Sequence, residues 1–229
     1  TFKGGRGSIY SYGTDLHVTD CIITNNHGRN YALGTARFER CLIADNYGKS
    51  GVTVGAKLIS CVVAGNHVEK PDGVLLDDYY NDFPCYLFNS TIVGDGVCNI
   101  INKTSPKSKY INTLFAQSGT VPYSADWKGL IAGCVFGDVK SGVGAGAITV
   151  DPMLYNPQGT SPSDMRVHAR SEALSSAVSA GNDPTGVWWY LCPLDFNGDV
   201  WRTDDTGRPV AGALQETFSA RDYFGSAPG

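Results

Sequence analysis

Charge is scarce in this chain. Charged residues are 17% of 229, the formal net charge is −4, and the 18 Lys and Arg form no basic stripe along the sequence. That argues against nucleic acid as a partner. No apolar stretch approaches the roughly 20 residues that a membrane helix needs, which argues against membrane insertion. An N-terminal export signal is also missing. Because Thr1 enters in mid-pattern, a preceding part of the protein, with any signal in it, is expected. Long Ala/Glu/Leu/Lys runs at helical spacing are absent, so a helical protein is excluded. No CxxC or HxxxH spacing offers a metal site. There is no GxSxG elbow, no HExxH, and no phosphate loop, since the glycine-rich SGVGAGA near Gly142 lacks the lysine and helix. His17, His27, His67 and His168 share no spacing.

What is present is a repeat. LHVTDCIITNN from Leu16, ARFERCLIADN from Ala36 and AKLISCVVAGN from Ala56 place Cys21, Cys41 and Cys61 20 residues apart. Weaker copies put Thr91, Thr113 and Cys134 in the same column. Three residues earlier stand Val18, Phe38, Leu58, Phe88, Tyr110 and Ile131. One later stand Ile22, Leu42, Val62, Ile92, Leu114 and Val135, and two later Ile23, Ile43, Val63, Val93, Phe115 and Phe136. Asn26, Asn46 and Asn66 recur at five beyond. Each copy reads as two short β-branched strands around a turn, too short to fold alone. Stacked in register at about 4.8 Å, the copies pair every backbone group and form side-chain ladders. Asn suits a bend because it tolerates left-handed backbone and bonds its neighbours in a ladder. The fold expected is all-β: a right-handed parallel β-helix over 1–150, with last rungs and an irregular C-terminal cap over 151–229 in the same structural domain. A leucine-rich repeat is set aside because the L-x-x-L-x-L frame is missing.

The repeat also accounts for most of the seven cysteines. Cys21, Cys41, Cys61 and Cys134 read as buried, reduced ladder residues, because parallel side-chain directions disfavour disulfides between rungs. Cys85 and Cys98 flank one long rung and either pair or do not.

Solenoids carry function on inserted loops. The longest, HVEKPDGVLLDDYYNDFPC, holds Glu69, Asp77, Asp78, Tyr79, Tyr80 and Asp82. Tyrosines beside carboxylates suit sugar contact, so Tyr79, Tyr80 and Asp82 are candidate ligand-binding residues. Glu69, Asp77 and Asp78 are candidate glycosidase carboxylates, and Asp77, Asp78 and Asp82 alternatively a calcium site. Otherwise no cofactor is expected. The plain alternative is a solvated loop with its aromatics packed on the helix side. Two sequons stand at Asn89 and Asn102. Trp188 and Trp189 either cover the last rung or form an exposed sugar platform.

After Asp151 the period changes. Asp151, Pro152, Ser171, Ala173, Leu174, Gly181, Asp195, Asn197, Gly198, Arg202, Gly212, Ala213 and Gln215 follow one another as DP, S-x-A-hydrophobic, D-x-N-G-x-x-x-R and GA-hydrophobic-Q. This closing segment resembles that of secreted bacterial right-handed β-helix repeat proteins of the polymorphic-membrane-protein-like, choice-of-anchor type. The opening GG-x-G-x-x-Y is similar to theirs too. Val210 and Ala211 stand where relatives carry an acidic residue before GA, and a tail follows where many stop or join an anchor. The resemblance implies an extracellular or cell-surface setting and leaves activity open. Three functions are carried forward. One is a module contacting polysaccharide or a cell-surface glycan, or an adhesin. Another is part of a β-helix polysaccharide lyase or glycoside hydrolase. The third is a passive stalk capable of end-to-end stacking. For a lyase, Arg29, Lys49, Lys57 and Lys70 offer cations but no evident cluster.

Overall fold

The computed structural model describes residues 1–6, 9, 16–28, 31–71, 73–77, 84–94, 101, 105–116, 129–137, 147–167, 194–198 and 212–213. They form a parallel β-solenoid. β1 (Phe2–Lys3) opens it. The next coil holds β2 (His17–Thr19), β3 (Ile22–Thr24), β4 (His27–Gly28) and β5 (Tyr31–Leu33). It is followed by β6 (Arg37–Glu39), β7 (Leu42–Ala44), β8 (Tyr47–Gly48) and β9 (Gly51–Val54), then by β10 (Lys57–Ile59), β11 (Val62–Ala64), β12 (His67–Val68) and β13 (Val74–Asp77). Later coils contribute β14 (Tyr86–Phe88) and β15 (Thr91–Val93), β16 (Lys109–Ile111) and β17 (Leu114–Ala116), β18 (Leu130–Ala132) and β19 (Cys134–Phe136), and last β20 (Ala147–Ile148). The complete coils thus have four strands each, two more than the repeat columns capture.

Equivalent strands pair in parallel. β2, β6, β10, β14, β16 and β18 make a six-stranded sheet. β1, β3, β7, β11, β15, β17, β19 and β20 make an eight-stranded one. β4, β8 and β12 form one three-stranded sheet, and β5, β9 and β13 another. Inside, Phe38, Leu58, Leu87 and Tyr110 from the six-stranded sheet meet Ile43, Val63, Ile92, Phe115 and Phe136 from the eight-stranded one. The Phe115 and Phe136 rings stack at 4.4 Å.

One rung departs from the sequence alignment. Leu58 pairs with Leu87 and Val62 with Thr91, so Ser90, not Thr91, occupies the cysteine column. Phe88 and Val93 therefore face outward, and Leu87 and Ile92 face in. This rung is apolar on both faces, so alternation in its sequence does not report which side chains face in.

Two turns shape each coil. Between the six- and eight-stranded sheets stand Asp20, Arg40, Ser60, Asn89, Asn112 and Gly133, all at positive φ. The next residue is the cysteine column. Its thiol or hydroxyl donates across the bend: Cys61 Sγ to the Ile59 and Phe38 carbonyls at 3.3 Å each, and Ser90 Oγ to those of Phe88 (3.1 Å) and Leu58 (3.2 Å). This is why Cys, Ser and Thr interchange there.

The second turn holds left-handed Asn25, Asp45 and Gly65. The buried asparagines follow them and are not themselves left-handed. Their recurrence has a different cause, hydrogen bonding. Asn46 Oδ1 accepts from the Asn26 backbone N–H (3.1 Å) and Nδ2 (3.0 Å). Asn46 Nδ2 donates to Asn66 Oδ1 (3.0 Å) and to the Ile23 carbonyl (2.9 Å).

The described C-terminal residues lie along the flank of the solenoid. Residues 154–167 form a hairpin in which Leu154 bridges Val167 antiparallel. Leu154, Met165 and Val167, with Val150, Phe196 and Ala213, pack on the outer side chains Val62, Ala64, Val93, Leu114, Ala116 and Val135 of the eight-stranded sheet. Near the hairpin tip, a Cβ added to Gly65 would meet Thr160 Cγ2 at 2.5 Å, so this turn admits only glycine at φ +62. Asp195 forms a turn by accepting from the Asn197 N–H (2.9 Å), and the Phe196 N–H donates to the Ala213 carbonyl (2.8 Å). Gly212 then donates to the Asn112 carbonyl (2.8 Å), and Ala213 to Thr91 Oγ1 (2.9 Å). The D-x-N-G and GA motifs thus meet in one clasp on the solenoid wall.

Two outcomes test this architecture. Asn46→Ala removes the acceptor of the Asn26 backbone N–H and a donor to the Ile23 carbonyl in the interior, and should cost about 3 kcal/mol in urea unfolding. Burial pushes the Cys134 thiol up to about 12 and raises that of Cys61 as well. Maleimide labelling of the folded protein at pH 7.5, read by mass spectrometry, should therefore modify half-buried Cys21 well before either.

Candidate functional site

The loop and cap residues expected from sequence are only partly placed. Asp78, Tyr79, Tyr80, Asp82, Trp188 and Trp189 lie outside the described residues, as does Cys98. Cys85 is buried in the core. Asp77 closes β13 in one three-stranded sheet, whereas Glu69 follows β12 in the other, so the two stand on different sheets. Glu69 sits at the Tyr47 hydroxyl. Desolvation, then the hydrogen bond to Glu69 and its charge, raise the Tyr47 phenol. Tyr47 is itself the middle of an outer row, its ring stacked between His27 (5.2 Å) and His67 (5.4 Å). The two imidazoles thus cover both faces of the Tyr47 ring. Among the described residues no group of three or more His, Cys, Asp or Glu is arranged to hold a metal ion. Asn89 of the first sequon is fully buried.

Among the described residues, the outer face of the six-stranded sheet gathers several cations and an aromatic ring in one place. Its in-register pairs run His17–Arg37–Lys57–Tyr86–Lys109–Leu130. Backbone pairing alone brings three cations, a histidine and a tyrosine into one line, a rung apart. Lys57 Nζ and Lys109 Nζ each lie 5.9 Å from the centroid of the Tyr86 ring, one from either neighbouring strand. The ring quadrupole favours both ammoniums there. Beside this line runs a second, Thr19–Glu39–Ile59–Phe88–Ile111–Ala132, of which Ile59, Phe88, Ile111 and Ala132 are buried. The Ser60 hydroxyl at the neighbouring turn donates to the Leu194 carbonyl at 2.6 Å. The polar row is thus the less buried half of the face.

At its start the row is tied down by an ion cluster. Glu39 accepts from Arg40 Nη1 (2.6 Å), Arg37 Nη2 (3.1 Å) and His17 Nε2 (3.1 Å). Arg40 also forks onto Asp20 through Nε (2.7 Å) and Nη2 (2.8 Å). Burial works to raise the Glu39 carboxyl, but the His17 hydrogen bond and the Arg37 and Arg40 charges together hold it below the usual carboxylate range. The Arg40 hydrogen bond, against a smaller desolvation, lowers Asp20.

The sequence carried the signal for this row four residues before the cysteine column, where His17, Arg37, Lys57, Tyr86, Lys109 and Leu130 stand once the Ser90 register is used. A search for basic runs along the chain misses it, because its members are about 20 residues or more apart. Of the lyase cations expected from sequence, Lys57 belongs to the row. Lys49 and Lys70 lie beyond β8 and β12 at the first three-stranded sheet, and Arg29 lies outside the described residues.

A carboxyl lowered in the folded state contributes stability that is complete above its unfolded value, 4.5 for Glu39, and is lost as pH falls through the lower folded value. Glu39→Gln should therefore cost about 1 kcal/mol at pH 7, discounted for partial exposure. The gap from the parent should narrow in denaturant titrations as pH falls below 4.5 and through the lower folded value. Comparison with protein-family models and with curated proteins found no match to this chain.

Proposed function

We propose that this chain is a polysaccharide-contacting module of a secreted or cell-surface protein of the bacterial β-helix repeat kind, binding acidic glycan along the outer face of the six-stranded sheet. The observation that carries the reading is the line Arg37–Lys57–Tyr86–Lys109 on a chain of net negative charge. Three cations in one line, with a tyrosine between two of them, complement a linear polyanion. Anions elsewhere on the protein oppose non-specific capture of such a ligand.

Binding is favoured over hydrolysis by the carboxylates that, among the described residues, stand at the row. A glycosidase acid must hold its proton near neutral pH, which needs a raised pKa. Glu39 and Asp20 are held ionised by arginines, and hydrogen bonds occupy their oxygens. They suit anchoring of the row and not proton transfer.

Retention on immobilised polygalacturonate or hyaluronan, with no new reducing ends, is the expected result, against none on neutral dextran. Lys57→Ala/Lys109→Ala should weaken binding about ten-fold or more and flatten its dependence on salt, because two fewer counterions are released. Retention unchanged by the double substitution would remove the row from the site. Cleavage of either polymer would replace the binding reading with a catalytic one.

A further inference from the structure

Cys21, Cys41 and Cys61 stand on three successive coils. Register sets Ile22 against Leu42 and Leu42 against Val62, and the Leu42 N–H donates to the Cys21 carbonyl at 2.9 Å. Neighbouring members of the column are therefore about 4.8 Å apart at Cα, inside the separation of about 4.4–6.8 Å that a disulfide spans. Parallel side-chain directions prevent a link where both thiols are held in place, and two of the three are held. Cys61 donates to the Phe38 and Ile59 carbonyls at 3.3 Å each. Cys41 donates to those of Val18 (3.4 Å) and Glu39 (3.3 Å). Cys21 differs. It is half-buried against the core, and its thiol has no hydrogen-bond partner among the described residues. Turning its sulfur toward the next coil therefore breaks no hydrogen bond. The Cys61 hydrogen bond, and after it the Cys21 backbone N–H, lower the Cys41 thiol against desolvation by burial. The same N–H holds the Cys41 sulfur beside the Cys21 backbone.

We propose that Cys21 and Cys41 form a thiol–disulfide exchange site, which a small external disulfide converts into a covalent link between successive coils. The half-buried Cys21, as thiolate, attacks one sulfur of the external disulfide. A mixed disulfide forms and one external thiolate leaves. The Cys41 thiolate then attacks the Cys21 sulfur, the Cys21–Cys41 bond forms, and the second external thiolate departs. The two protons released by the cysteines are taken up by the departing thiolates. Two cysteines are oxidised and one disulfide is reduced to two thiols. The Glu39 carbonyl gives up Cys41 but keeps the Asp20 N–H at 3.0 Å. Cys61 takes no part, because burial raises its thiol and two carbonyls hold it. The link ties the coil of β2–β5 to that of β6–β9, beside Ile22, which is 46% exposed.

The test incubates the intact chain with glutathione disulfide at pH 7.5 and reads intact mass, peptide maps and thermal unfolding. The expected product has lost two hydrogen atoms, joins Cys21 to Cys41, and unfolds about 5 °C higher, a gain that reductant removes. Cys41→Ser should stop at glutathione attached to Cys21. Serine is suited to that position because Ser90 makes the column's bonds with its own hydroxyl. Cys61→Ser should still form the link. A glutathione adduct that persists on Cys21 of the parent would overturn the proposal. So would Cys21 left unmodified, or joined to any cysteine other than Cys41.

Discussion

In-register parallel pairing of one coil with the next is the constraint on which everything else depends. Each short strand satisfies its backbone only through its counterparts, so residues one coil apart are obliged to share an environment. Inside, this produces the stacked aliphatic and aromatic ladders and the chain of asparagine amides. At the bend it produces a column where Cys, Ser and Thr perform the same hydrogen bond. Outside, the same rule converts a basic residue in each of several coils into a continuous charged line. A structural requirement thus writes a surface pattern that no local run of sequence contains.

The two outer faces have opposite treatments. That of the eight-stranded sheet is apolar over its middle strands and is covered by the hairpin of residues 154–167 and by the Asp195 and Gly212–Ala213 turns. Where this cover ends the same ladder opens to solvent, as at Ile22, 46% exposed. The face of the six-stranded sheet is divided lengthwise, with one line buried and the other left polar. The ion cluster of Asp20, Glu39, Arg37 and Arg40 lies at the start of that polar line, where side chains would otherwise have the fewest neighbours to hold them.

Much of this was legible from the columns of the repeat. The inner positions Phe38, Leu58, Ile43 and Val63, the cysteine column and the asparagine ladder all follow from a 20-residue period. The rung at Leu87–Ile92 did not, because covering both faces of a strand erases the alternation that reports its direction. The two-residue strands β4 and β8 also escaped, lying at His27–Gly28 and Tyr47–Gly48, where pairing with the neighbouring coil and not residue type makes the strand. The cationic row was hidden for a third reason: its meaning lies across coils, and one misplaced residue at Tyr86 breaks the column. The carboxylates that drew attention as a cluster in the long loop, Glu69 and Asp77, are separated by the turn that carries the chain from one sheet to the next.

The clasp has a consequence in time. Ser60 waits for Leu194, 134 residues further along, and Thr91 for Ala213, 122 residues further along. The coils themselves need only their immediate predecessor, so the solenoid can assemble stepwise while the chain is still being made. Its apolar flank nevertheless stays bare until the covering residues Leu154, Met165, Val167, Phe196 and Ala213 have been synthesised. Throughout that interval the growing protein exposes a strip of Val, Ala and Leu side chains to whatever else is near. A nascent chain of this kind is most vulnerable to misassociation just before the covering residues 154–213 emerge, when its uncovered wall is longest.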